Sequence, residues 1–107
     1  MKVPFFVPDL GEPEIEAVRA VIESRWLTMG ARVEEFEEQF AELLGTRYAV
    51  AVNSGTAALH LAVLCAGVEK GDEVIVPSLT FAATANAVSY AGARPTFADV
   101  TLSLIHI

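Results

Sequence analysis

Tyr48-Ala49-Val50-Ala51-Val52-Asn53-Ser54-Gly55-Thr56-Ala57-Ala58-Leu59 carries the signal that decides the fold. Five apolar residues in a row predict a strand covered on both faces. A turn of small residues follows, and an Ala- and Leu-rich run predicts a helix over about 56–66, stopped by Gly67. Toward the C-terminus, Glu69-Lys70-Gly71-Asp72 reads as a turn before the strand Glu73-Val74-Ile75-Val76. A loop with Pro77 and Ser78 opens a helix over about 82–91, ended by Gly92, and Pro95-Thr96-Phe97-Ala98-Asp99 reads as a third strand. Toward the N-terminus, Val33, Phe36, Phe40 and Leu43 or Leu44 recur at helical spacing, with Gly45 as the stop. The loop Arg25-Trp26-Leu27-Thr28-Met29-Gly30 precedes that helix. Before the loop, Ile15, Val18, Val21 and Ile22 stripe a helix over about 12–24, in whose first turn Pro13 is tolerable. Residues 2–10, with Pro4, Pro8 and Phe5-Phe6, read as an extended arm. The predicted class is α/β: two leading helices, then β-α-β-α-β with parallel strands and right-handed crossovers.

Composition narrows the function. The 107 residues are 53% apolar and 20% charged, with a mean hydropathy of +0.46, which excludes a disordered chain. That is rich for so short a chain, and it implies apolar surface meant to face other protein. No stretch reaches the roughly 18–20 uninterrupted apolar residues of a spanning helix. The longest, residues 57–68, is broken by His60 and Gly67, and the N-terminus lacks the apolar core of a signal peptide. Net charge is −7 and Lys and Arg are scattered, so a nucleic-acid partner is not expected. Glu34, Glu35, Glu37, Glu38 and Glu42 read as a solvated helix face. Cys65, among Leu61, Val63, Leu64 and Ala66, reads as a buried small hydrophobe, and no disulfide can form within the chain. A cytoplasmic soluble protein is expected.

Chemistry is expected at two strand-to-helix turns. Ligands of open α/β sheets bind at the carboxyl ends of strands, and a helix N-terminus offers unpaired N–H groups to a phosphate. Ser54-Gly55-Thr56-Ala57 suits that role, Gly55 letting an anion approach while the hydroxyls add donors. The same residues also fit a simple helix cap. Neither G-x-G-x-x-G nor G-x-x-x-x-G-K-[ST] occurs. At the second turn, Val76-Pro77-Ser78-Leu79-Thr80-Phe81, the Phe81 ring can stack on a planar ligand or pack into the core. His60 reads as a structural helix residue, and Asp99 is a strand-end carboxylate that can belong to a site.

Longer motifs narrow these alternatives. Trp26-Leu27-Thr28-x-Gly30, Phe36-Glu37 with Phe40-Ala41, the run 51–60, Gly71-Asp72-Glu73-Val74-Ile75-Val76-Pro77-Ser78-Leu79-Thr80-Phe81, Ala83-Thr84-Ala85-Asn86-Ala87 and Gly92-Ala93 with Pro95 occur in order. Together they resemble the DegT/DnrJ/StrS sugar aminotransferases, of the aspartate-aminotransferase fold, over nearly all of the chain to Val100. The resemblance implies the cofactor pyridoxal 5'-phosphate (PLP), with its phosphate on the amides of Gly55, Thr56 and Ala57 and Phe81 stacked on its ring. It places the loop from Trp26 to Gly30 near the active site. It further implies a keto-sugar substrate, usually nucleotide-linked, an amino-acid donor and a homodimer. Arg25 stands where the family often has Gly, and Ala31 where it often has Pro.

The resemblance also implies what these residues lack. A PLP aminotransferase needs a lysine that holds the cofactor and moves the proton, and an acid facing the pyridinium nitrogen. In the family both lie beyond position 107. The lysines here are Lys2, in the arm, and Lys70, in a surface turn. Residues 1–100 are therefore expected to be the N-terminal part of the large domain of a longer enzyme, inactive alone, with no catalytic residue and no metal. Leu102-Ser103-Leu104-Ile105-His106-Ile107 is what CTG TCT CTT ATA CAC ATC encodes, a transposon-end adapter of sequencing libraries. Residues 101–107 are accordingly expected to be a non-native tail, with His106 no ligand or base. Two other functions compete: a PLP-dependent sugar dehydratase of the same family, with histidine for the lysine, and a non-catalytic binding or regulatory module.

Overall fold

The computed structural model describes residues 3, 4 and 6–100. Lys2 and the tail from Thr101 lie outside the described residues. The chain divides into two compact units, Met1–Ala51 and Val52–Ile107.

The first unit holds two helices, α1 (Glu12–Ser24) and α2 (Ala31–Leu44), as their apolar spacing predicts. Pro sits in the first turn of α1, and Glu14 there accepts a hydrogen bond from the Gly11 N–H at 2.7 Å. That bond to a backbone N–H favours the charged form and holds the Glu14 carboxyl below its ordinary value. The two helices end differently. Gly45 closes α2 in the left-handed conformation at φ 65°, whereas α1 is closed by Arg25 at φ 59°. A side chain there meets its own carbonyl, which is why glycine is favoured at such caps. The stripes that define the helices remain largely in solvent: Ile15, Val18 and Ile22 on α1, Phe36 and Phe40 on α2. Among the described residues of this unit, Ala41 is the one buried apolar side chain.

The second unit contains α3 (Gly55–Cys65), β1 (Glu73–Pro77), α4 (Ala83–Tyr90) and β2 (Arg94–Ala98). The strands are parallel, in a register that pairs Glu73 with Arg94 and Pro77 with Ala98. An ion pair between Glu73 and Arg94 closes one end of the ladder. The core is small: Val76, Val88 and Ala93 are buried, with Val63, Val68 and Val74 packed against them. It forms where α4 crosses the sheet and meets α3. Glycines set the corners, Gly67, Gly71 and Gly92 all lying at positive φ.

Two expectations need correction. Residues 48–52 form no strand: the structure assigns no ladder to them, and the Ala51 N–H goes instead to the Glu37 side chain at 2.7 Å. Tyr48 and Val50 are exposed. A strand is a property of a pair, and an apolar run with no neighbouring strand among the described residues stays irregular. The observed pattern is therefore α-α-α-β-α-β. Cys65 is exposed, not buried. α3 is apolar around its circumference, so composition alone cannot say which side is covered; none of its residues is buried.

Candidate functional site

The N-terminus of α3 is built by Ser54. Its backbone is extended, its Oγ accepts a hydrogen bond from the Ala57 N–H at 3.1 Å, and its carbonyl accepts from the Ala58 N–H at 3.1 Å. The capping reading of Ser54 is thus realised, and it engages one of the three amides expected to face a phosphate. The N–H groups of Gly55 and Thr56 have no acceptor among the described residues. Gly55 adjoins open space: a Cβ built on it would meet nothing within 4 Å. Two free backbone donors at a helix N-terminus, with no side chain in front of them, form a cradle that fits a phosphate group.

Phe81 lies in the same unit, in the loop between β1 and α4, and is 82% exposed. No hydrogen bond among the described residues joins it to Gly55, Thr56 or Ala57; Phe81 lies on the β1–α4 turn, and those three form the first turn of α3. Phe81 is thus free of the core packing that was its alternative reading. His60 is half-buried and meets the ring of Tyr90 edge-on, centroids 5.6 Å apart at 69°, which joins α3 to α4. That contact is structural, as expected. Lys70 is exposed in its turn and its stem passes over Gly92. Among the described residues no cluster of His, Cys, Asp or Glu could hold a metal ion, and no helix is long and apolar enough to cross a membrane.

The Trp26 loop belongs to the first unit and closes on itself. The Trp26 indole N–H donates to the Met29 carbonyl at 2.9 Å. The indole occupies the space a side chain on Gly30 would need, since a Cβ there would lie 2.4 Å from Nε1. Beside it runs an apolar groove of about 660 Å³, lined by Val21, Trp26, Leu27 and Val33 among others. Sequence reasoning placed the loop in the motif but missed the notch; the spacing of a tryptophan four residues before a glycine was the available signal.

Comparison with known proteins gives these turns their context. The model of the DegT/DnrJ/EryC1/StrS aminotransferase family matches residues 8–107. The chain belongs to this family. The spore coat polysaccharide biosynthesis protein SpsC of Bacillus subtilis (strain 168) is 46% identical over 105 residues, covering 98% of this chain and 27% of SpsC. Spr1654 from Streptococcus pneumoniae, described as a sugar aminotransferase and solved in its PLP form, superposes with a TM-score of 0.83 at 37% identity. That match covers 94% of this chain and 26% of Spr1654. The GDP-4-keto-6-deoxy-D-mannose-3-dehydratase of E. coli, solved with hydrated PLP, gives 0.81 at 32% identity over 94% of this chain and 27% of the dehydratase. The 107 residues thus span about a quarter of the length of the relatives they match. Family members with both chemistries share this portion of the fold, so the portion itself does not separate them.

Proposed function

We propose that residues 1–100 are the N-terminal part of the large domain of a PLP-dependent enzyme that transfers an amino group from an amino acid to a keto sugar, most simply a nucleotide-linked one. The α3 N-terminus carries the reading: Gly55 and Thr56 offer two N–H donors with no acceptor among the described residues, in an open cradle within the matched range 8–107. Thr56 adds a hydroxyl, and the Ala57 amide joins if Ser54 Oγ rotates away. Phe81 supplies an apolar face for the cofactor ring. When bound, PLP supplies the electron sink that makes the substrate carbon reactive. These residues bind and orient the cofactor, and the proton-moving lysine comes from outside them. By analogy with SpsC, the product serves polysaccharide biosynthesis. A homodimer in the cytoplasm is proposed with it, supported by the uncovered stripes of α1 and α2.

A second reading, PLP-dependent sugar dehydration, is favoured by the equally good superposition on the E. coli dehydratase. One assay separates the two. Full-length protein is incubated with PLP, L-glutamate and a nucleoside-diphosphate 4-keto-6-deoxy sugar, and products are read by mass. An amino sugar supports transfer, a sugar lacking one hydroxyl indicates dehydration, and unchanged substrate across several such sugars refutes both. The 107 residues alone should give no turnover, because Lys70 is exposed on the surface and the remaining lysine, Lys2, is read from sequence as part of an N-terminal arm.

A further inference from the structure

The carboxyl edge of the sheet is closed by a side-chain link that the cofactor reading does not use. Beyond the Pro77–Ala98 pair, the Ser78 N–H donates to the Ala98 carbonyl at 2.9 Å, and Ser78 Oγ donates to Asp99 Oδ1 at 3.1 Å. Ser78 is the first residue of the loop that carries Phe81. The loop's far end is held separately: the Thr84 N–H donates to the Phe81 carbonyl at 3.0 Å, and the Thr80 and Thr84 hydroxyls lie 2.9 Å apart. Among the described residues, Ser78 to Asp99 is the one side-chain hydrogen bond fastening this loop to the residue that follows β2. The aromatic ring thus sits on a short span pinned at both ends.

We infer that Ser78 and Asp99 form a positioning clamp that fixes the Phe81 ring against the cofactor, with Asp99 acting as a hydrogen-bond acceptor and not as a site acid or base. The inference rests on the cofactor reading of Phe81. It differs from the strand-end rule, under which Asp99 would face the ligand directly. The geometry favours the clamp because Asp99 Oδ1 is already engaged with a residue of the adjoining loop. An acceptor role needs an oxygen at that place but no charge. A side-chain amide offers the same oxygen, so asparagine should serve where alanine does not.

The test uses the full-length PLP-loaded enzyme and reads cofactor retention on dialysis, the circular-dichroism band of the bound cofactor, and the thermal midpoint of the cofactor-free protein. Ser78→Ala and Asp99→Ala should each weaken PLP retention about three- to tenfold, the range set by one net hydrogen bond. Both should diminish the dichroism band. The double variant should be no worse than either single one, because one bond is lost in all three. Asp99→Asn should restore retention and the band. Asn as damaging as Ala would overturn the clamp, since it would place the charge itself at work. So would a fall in the cofactor-free midpoint with retention and band unchanged, which marks a purely structural bond. Phe81→Leu separates the layers. If it leaves retention and band intact, the cofactor reading of Phe81 fails; if it lowers both while Ser78→Ala is silent, the clamp alone fails.

Discussion

Expressed alone, the 107 residues should not reach a cooperatively folded state. In the second unit Val52, Leu59, Leu61 and Leu64 remain 37–46% exposed, and Phe97 and Ile75 remain 61% and 75% exposed. Their uncovered surface equals about three whole side chains, which at about 1.5–3 kcal/mol each forgoes about 5–9 kcal/mol of burial. A complete domain typically holds only about 5–15 kcal/mol of net stability. Among the described residues of this unit the buried side chains are Val76, Val88 and the single methyl groups of Ala83, Ala87 and Ala93, too little apolar volume to make up such a deficit. The deficit is one of covering, and more protein against the same surfaces would remove it. Size-exclusion chromatography, urea denaturation and amide exchange on the purified chain should show aggregation, or a molten monomer with a shallow transition and fast exchange at Val74 and Val76. A soluble monomer with a sharp two-state urea transition and slow exchange in β1 would refute the reasoning.

Three further outcomes are expected in the full-length protein. Arg25→Gly should raise stability by about 1 kcal/mol, because φ 59° strains a residue with a Cβ; an unchanged or lower thermal midpoint would count against the cap assignment. Gly30→Ala should displace the Trp26 indole and lose its bond to Met29, about 0.5–1.5 kcal/mol. The same change in a Trp26→Phe background should cost markedly less, and equal costs in both backgrounds would remove the notch from the explanation. Glu14, whose carboxyl is held below its ordinary value by the Gly11 N–H, contributes stability that is present above its unfolded value and lost as pH falls through the lowered folded one. The stability gap between wild type and Glu14→Gln should therefore narrow below about pH 4; a gap independent of pH would exclude the bond.

What could be read from the chain, and what could not, divides along the range of the interaction. α1, α2, α4, β1 and β2 were legible because each is written in local periodicity and local stops, such as the Phe36–Phe40 spacing before Gly45. The capping role of Ser54 was legible for the same reason, since its partner Ala57 is three residues away. Residues 48–52 were read wrongly because an apolar run states that a segment wants covering on both faces, and says nothing of whether a neighbouring strand is there. Cys65 failed for a related reason: on a helix apolar all round, burial is decided by which neighbour arrives, and only tertiary structure names it. The Ser78–Asp99 link spans 21 residues and has no periodic signature at all.

The misreadings and the site share one cause. A strand-end ligand site is assembled from turns far apart in sequence, so its residue types can be recognised long before its geometry can. Motif and resemblance lead to the expectation that Gly55 and Phe81 bear chemistry. What the structure adds is the state of their surroundings: the Gly55 and Thr56 amides have no acceptor among the described residues, the Ala57 amide is engaged, and Phe81 is unburied on a loop pinned at both ends. Those are the conditions under which a phosphate and a ring could be held without first breaking anything but the Ser54 cap bond. Because that bond is worth only about 0.5–1.5 kcal/mol net, while charge-assisted bonds from backbone N–H groups to a phosphate are about twice as strong as neutral ones, the exchange runs in the ligand's favour. On the proposed reading, the Ser54 cap holds the helix start in shape and is the one bond that a phosphate on all three amides would replace.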